Sequence, residues 1–130
     1  MQNRIISLLI VLLSFTFSCT RTPADSDLPR DEAFDGNTPA APSGLAAEAL
    51  SGSEIRLTWM DNSSIEDGFY VEGGTFSGSR DSIHCLWGAN ITSFVDSHLL
   101  ASTTYYYVVK VHVGDSVYSH FSSEISCSTF

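Results

Sequence analysis

From residue 42 to residue 130, apolar side chains recur at every second position, in short runs separated by clusters of Gly, Ser, Asn and Asp. Successive side chains of a strand point to opposite faces, so each run reads as a half-buried β-strand. Many such runs at short intervals, with no stretch of helical period, read as an all-β sandwich of seven strands. Leu45, Ala47 and Ala49 share one face of the first strand, and Ile55, Leu57 and Trp59 one face of the second. Phe69 and Val71 point inward on a third, with Tyr70 and Glu72 opposite. Residues 83–87 and 91–95 form a fourth and a fifth. Residues 104–112 form the longest, with Tyr105, Tyr107, Val109 and Val111 inward and Tyr106, Val108, Lys110 and His112 outward. After a turn at Gly114-Asp115, residues 122–129 complete the set.

Two segments precede this region. Arg4 opens a positive start, and residues 5–17 are an almost unbroken apolar run. That run is shorter than the roughly 20 residues needed to span a bilayer. Its charge order and length are those of a secretory signal peptide occupying residues 1–18. Ser18-Cys19, within Thr16-Phe17-Ser18-Cys19, resembles a bacterial lipobox. The resemblance implies that Cys19 becomes the acylated N-terminus, anchoring the chain to a membrane. Thr20 rather than Asp follows it, which favours the outer membrane of a bacterial envelope. The alternative is ordinary cleavage after Ser18 and a soluble secreted product. Residues 19–41 are rich in Asp, Pro, Thr and Ala and have no hydrophobic period, so they read as a disordered tether. A flexible chain of that length spans about 25 Å.

Three separated blocks in residues 42–130 resemble the fibronectin type III family in its bacterial extracellular form. Leu57-Thr58-Trp59-Met60-Asp61-Asn62-Ser63-Ser64, followed by Glu66-Asp67-Gly68-Phe69, is similar to the family's second strand and the turn into its third. Residues 88–96, Gly-Ala-Asn-Ile-Thr-Ser-Phe-Val-Asp, resemble its approach to the fifth strand. Leu99, Thr103 and Tyr105 resemble its corner before the sixth, with Ala101 in place of the usual Pro. The resemblance implies an immunoglobulin-like sandwich with Trp59, Leu57, Phe69, Val71, Leu99, Tyr105, Tyr107 and Val109 in its core. Trp59 then fills the space between the sheets, and Tyr105 bonds nearby backbone through its hydroxyl. No Arg-Gly-Asp occurs, so integrin-type adhesion does not carry over.

Little in the sequence points to chemistry. A formal net charge of −9 opposes binding to nucleic acid. Cys85 and Cys127 are expected on opposite edges of one sheet, about 14 Å apart by strand spacing. A disulfide needs Cα atoms within about 7 Å, so free buried thiols are the expectation. His84, His98, His112 and His120 have no metal-ligand spacing and read as surface residues. Asp61, Glu66 and Asp67 share one loop without calcium-loop spacing and read as solvated turn residues. No nucleophile, base and orienter pattern stands out, and no phosphate-cradling loop. The expectation is a monomer with no catalytic residues, no metal and no cofactor. Phe130 directly follows the last expected strand, so no following catalytic domain is expected unless the chain is a piece of a longer one.

A surface remains. Tyr70, Tyr106 and Val108 are expected to face outward on neighbouring strands, where a partner protein or polysaccharide could dock. The expected function is a cell-envelope lipoprotein carrying a binding or spacer module. The second reading is an accessory, carbohydrate-associated module working beside a separate extracellular enzyme.

Overall fold

The computed structural model describes residues 38–130; the expected signal segment, Cys19 and most of the expected tether lie outside them. Eight strands follow in chain order: β1 Ser43–Ala49, β2 Ile55–Met60, β3 Gly68–Gly74, β4 Ser82–Trp87, β5 Ser93–Asp96, β6 Thr104–Val113, β7 Val117–Tyr118 and β8 Ile125–Ser128. They form a three-stranded sheet ordered β1-β2-β5 and a five-stranded sheet ordered β4-β3-β6, with β7 and β8 both pairing β6. Every pairing is antiparallel.

The core lies where the inward rows of the two sheets meet. β2 contributes Ile55, Leu57 and Trp59, β3 contributes Phe69 and Val71, and β6 contributes Tyr107, Val109 and Val111. Leu45, Phe94, Leu99 and Tyr105 are partly buried against this cluster. The strict alternation of β2, buried at every odd residue and exposed at every even one, shows why its run cannot slip by one residue. A slip would turn all three large side chains to water. Trp59 meets Phe69 across the gap with ring centroids 5.7 Å apart. The Tyr105 hydroxyl accepts from the backbone N–H of Leu100 at 2.9 Å. The turn before β6 is tied by Thr129, whose hydroxyl donates to the Leu100 carbonyl at 2.6 Å.

A short strand that alternation does not reveal, β7, precedes the last expected one, giving eight strands rather than seven. After the turn at Gly114, which adopts a φ of +56°, the two residues of β7 pair with His112 and Val113. The chain then runs alongside β6 without regular pairing. Ser119 and Ser122 replace the missing ladder bonds, their hydroxyls accepting the N–H groups of Val111 and Val109, each at 2.9 Å. Regular pairing resumes only at β8. Side-chain oxygens thus satisfy buried donors that a continuous strand would have paired.

Candidate binding face

The outward face of the five-stranded sheet carries rings in cross-strand register. Gly68 on β3 pairs with Trp87 of β4 on one side and His112 of β6 on the other, and His112 pairs with Tyr118 of β7. Gly68 sits at the centre of this row for a steric reason. A Cβ there would lie 2.5 Å from Nε2 of His112 and 2.1 Å from the Leu86 carbonyl oxygen. The imidazole therefore occupies the space that a side chain would fill. It meets Trp87 edge-on at 4.6 Å and Tyr70 at 4.9 Å, and Tyr70 in turn meets Tyr118 at 5.8 Å. Edge-to-face contacts of this kind are favoured by the ring quadrupoles.

Below this row, Lys110 ends in an aromatic cage. Its ammonium lies 5.4 Å from the Tyr70 ring centroid and 4.8 Å from those of Tyr118 and Phe121. Glu72, nearly buried, closes the cage at 3.0 Å. Arg80, from the connection between β3 and β4, lies 4.0 Å from Glu72 and 3.2 Å from Glu124, with its guanidinium over Phe121. The Ser77 hydroxyl and the Gly78 N–H donate to Glu124, and with Arg80 they hold its carboxyl below the ordinary range. Two cations and two carboxylates thus neutralise one another within the face. Above them Trp87, Phe121 and Tyr118 stay 52 %, 45 % and 38 % exposed.

Of the three residues expected on this face, Tyr70 stands in the ring array, half-buried. Burial raises its phenol pKa, aided by Tyr118 and the nearby acids. Tyr106 also points outward, but it is four residues along β6 from Lys110, the register partner of Tyr70. That is about 13 Å at strand rise, so Tyr106 is outside the array. Val108 is a correction: its position is outward, yet it is 2 % exposed. It pairs with Glu72, the carboxylate bridged by Lys110 and Arg80, and their long side chains cover this stretch of β6.

Three further expectations are corrected. His112 is fully buried under the rings of Trp87 and Tyr70 rather than a surface histidine. Glu66 is a buried residue, not a solvated one, and accepts from the Asn90 N–H at 3.2 Å. Burial pushes its carboxyl up, but the amides of Glu66 and Asn90, with Ser63 and Asp61, bring it below the ordinary range. Asp61 is raised, first by burial and then by the adjacent Glu66. Asp67 instead accepts from the Gly114 N–H at 2.7 Å, apart from the interacting pair Asp61 and Glu66. Among the described residues no group of three or more His, Cys, Asp or Glu could hold a metal ion. Third, Cys127 is a free thiol, but half-buried rather than buried. Cys85 and Cys127 are not bridged to each other, since β3 and β6 separate their strands.

A shallow open groove of about 300 Å³ lies where the edges of β4 and β5 approach, lined by Gly73, Thr75, Ser82, His84, Asp96 and Tyr105 among others. Asp96 is the polar centre of this edge. Its Oδ2 accepts from the buried Tyr107 hydroxyl at 2.9 Å, and its Oδ1 lies 3.4 Å from Nε2 of His84 without hydrogen-bond alignment. The His84 ring also meets that of Phe94, with centroids 4.7 Å apart and planes tilted by 41°. The neighbouring hydroxyls are engaged elsewhere: Ser82 with the Gly73 carbonyl and Ser97 with His98. The arrangement ties the two sheets together through a carboxylate and offers His84 no aligned nucleophile.

Burial, and then the adjacent Asp96 carboxylate, push the Tyr107 phenol far above its ordinary value of 10.0. The unfolded chain ionises tyrosine near pH 10, whereas the folded chain holds this proton, so unfolding releases it at higher pH. Stability is therefore expected to be complete below about pH 10 and to fall as pH rises beyond it, with Tyr70 adding in the same direction. Urea unfolding at stepped alkaline pH checks this. Tyr107→Phe should flatten the decline, and an unchanged slope in that variant would assign it to other groups.

No protein-family model matches the chain, and no curated protein sequence does. Solved structures do. A two-domain fibronectin type III segment of chicken tenascin superposes with a TM-score of 0.62 at 15 % identity, over 71 % of this chain and 51 % of that one. The FN1–FN3 domains of chicken CNTN1 give 0.60 at 19 %, over 70 % of this chain and 32 % of that one. The fold is that of a fibronectin type III domain. This chain thus spans about a third to a half of these multidomain segments. An Fn3-like protein from Clostridium thermocellum matches over 95 % of its own length and 72 % of this chain, with 27 % identity and a TM-score of 0.57. In this fibronectin type III sandwich the ring array lies on the outward face of the larger sheet, away from the core that defines the fold.

Proposed function

We propose that this protein is an exported, non-catalytic binding or spacer module, held at a bacterial cell envelope by lipid on Cys19. The observation that carries the binding role is the ring array. Trp87, Phe121 and Tyr118 remain exposed together on one sheet face although the interior has its own aromatic residues. Large apolar side chains grouped on a surface mark contact sites. The non-catalytic reading is supported by the groove, where His84 faces Asp96 but no hydroxyl is aligned to it. The anchor rests on the order Arg4, apolar run, Ser18-Cys19. Acylation with several chains gives stable membrane attachment where one chain gives only marginal attachment.

Labelling of cells with a fatty-acid analogue tests the anchor. The wild-type chain should take up label and fractionate with membranes, while Cys19→Ala should lose label and become soluble. Equal labelling of both proteins would refute acylation at Cys19.

A further inference from the structure

We infer that the outward ring array binds a neutral, extended polysaccharide, with Trp87 and Phe121 as the principal stacking surfaces. This rests on the binding-module reading and adds the chemical class of the ligand. The first argument is charge. Lys110 and Arg80 are the cations of this face, and both are taken up by Glu72 and Glu124. Among the described residues no cation of this face is left to recruit a sulfate, phosphate or uronate, and a chain of net charge −9 repels polyanions.

The second argument is size. The row from Trp87 on β4 to Tyr118 on β7 crosses three strand intervals, about 14 Å, and the Phe121 ring, which flanks the Lys110 ammonium with Tyr118 at 4.8 Å each, widens it by less than about 10 Å. The patch is on the order of 200 Å², whereas a standard protein interface needs about 800 Å² from each partner. A narrow ligand fits this strip better than a folded partner. The third argument is chemistry. A pyranose with equatorial hydroxyls shows a flat face of C–H bonds, which suits the electron-rich face of indole or phenyl rings. Successive sugar units of an extended glycan advance by nearly one strand interval, so Trp87 and Tyr118, three intervals apart at the ends of the row, would meet units three apart, with Gly68 and the buried His112 between them. The polar edges of Tyr70 and of Tyr118, whose hydroxyl donates to the Asp115 carbonyl, lie beside these rings for the sugar hydroxyls.

The two tryptophans make the test direct, since Trp59 is buried and Trp87 exposed. The full-length protein is titrated with cellohexaose and with chitohexaose, following tryptophan emission and the heat of binding. Polygalacturonate serves as the anionic comparison. The expected result is a saturable emission change with at least one neutral oligosaccharide and none with the polyanion. Trp87→Ala and Phe121→Ala should each weaken binding at least tenfold while melting within a few degrees of wild type. Absence of binding to both neutral oligosaccharides, preference for the polyanion, or undiminished affinity in Trp87→Ala would overturn the inference. The Cys19 labelling result is independent of all three outcomes. If sugars fail but the face still captures an envelope protein, the module reading stands and its ligand class is replaced.

Discussion

Trp59→Ala is expected to lower stability by about 3–5 kcal/mol, the range for emptying a fully packed aromatic site. The indole is 4 % exposed and stands between the sheets against Phe69. Its loss leaves a cavity that strands pinned on both sides cannot collapse to fill. Trp59→Phe should behave differently. The indole N–H is buried without a hydrogen-bond partner, so the replacement removes an unsatisfied donor while keeping much of the apolar contact. A cost below about 1.5 kcal/mol is expected for it. Urea unfolding of both variants gives the comparison. An alanine variant as stable as the parent would place the β2 register elsewhere.

Lys110→Met carries the second large effect, about 3 kcal/mol. The ammonium is the close partner of Glu72, whose side chain is only 4 % exposed, and Arg80 stands farther off at 4.0 Å. Removing the lysine leaves a buried carboxylate with one distant cation, and the cage of Tyr70, Tyr118 and Phe121 loses its occupant. The double variant Lys110→Met with Glu72→Met should recover most of the loss, because neither charge then remains to be desolvated. A double-mutant cycle by urea unfolding measures the coupling. A single-variant cost below about 0.5 kcal/mol would mean that the pair is solvated and the face more open than described.

The strands with large inward residues were legible from alternation alone. Ile55, Leu57 and Trp59, or Tyr107 and Val109, admit one face assignment, because the opposite parity would put polar residues inside. Parity fixes a face but not its exposure. Val108 and His112 point outward as alternation demands, yet Arg80 comes from another connection and Trp87 from another strand to cover them. These coverings depend on register across β4, β3, β6 and β7, which local pattern does not encode. Trp87, Tyr118, Phe121 and Lys110 were missed as a group for the same reason. The available signal was the chain of outward positions Ile83, Cys85 and Trp87 opposite Glu72, Tyr70 and Gly68, readable once β3 and β4 are aligned as a hairpin. β7 went unseen because two residues make no period, and the serines that complete its path look like loop composition.

Hydrogen exchange of the full-length protein, alone and in the presence of an isolated envelope fraction, tests most directly whether the ring-bearing face is where this domain works. Slower exchange is expected in β4 and across residues 117–121, with β1, β2 and β5 unchanged. Protection confined to the three-stranded sheet, or none anywhere, would contradict the assignment of function to this face.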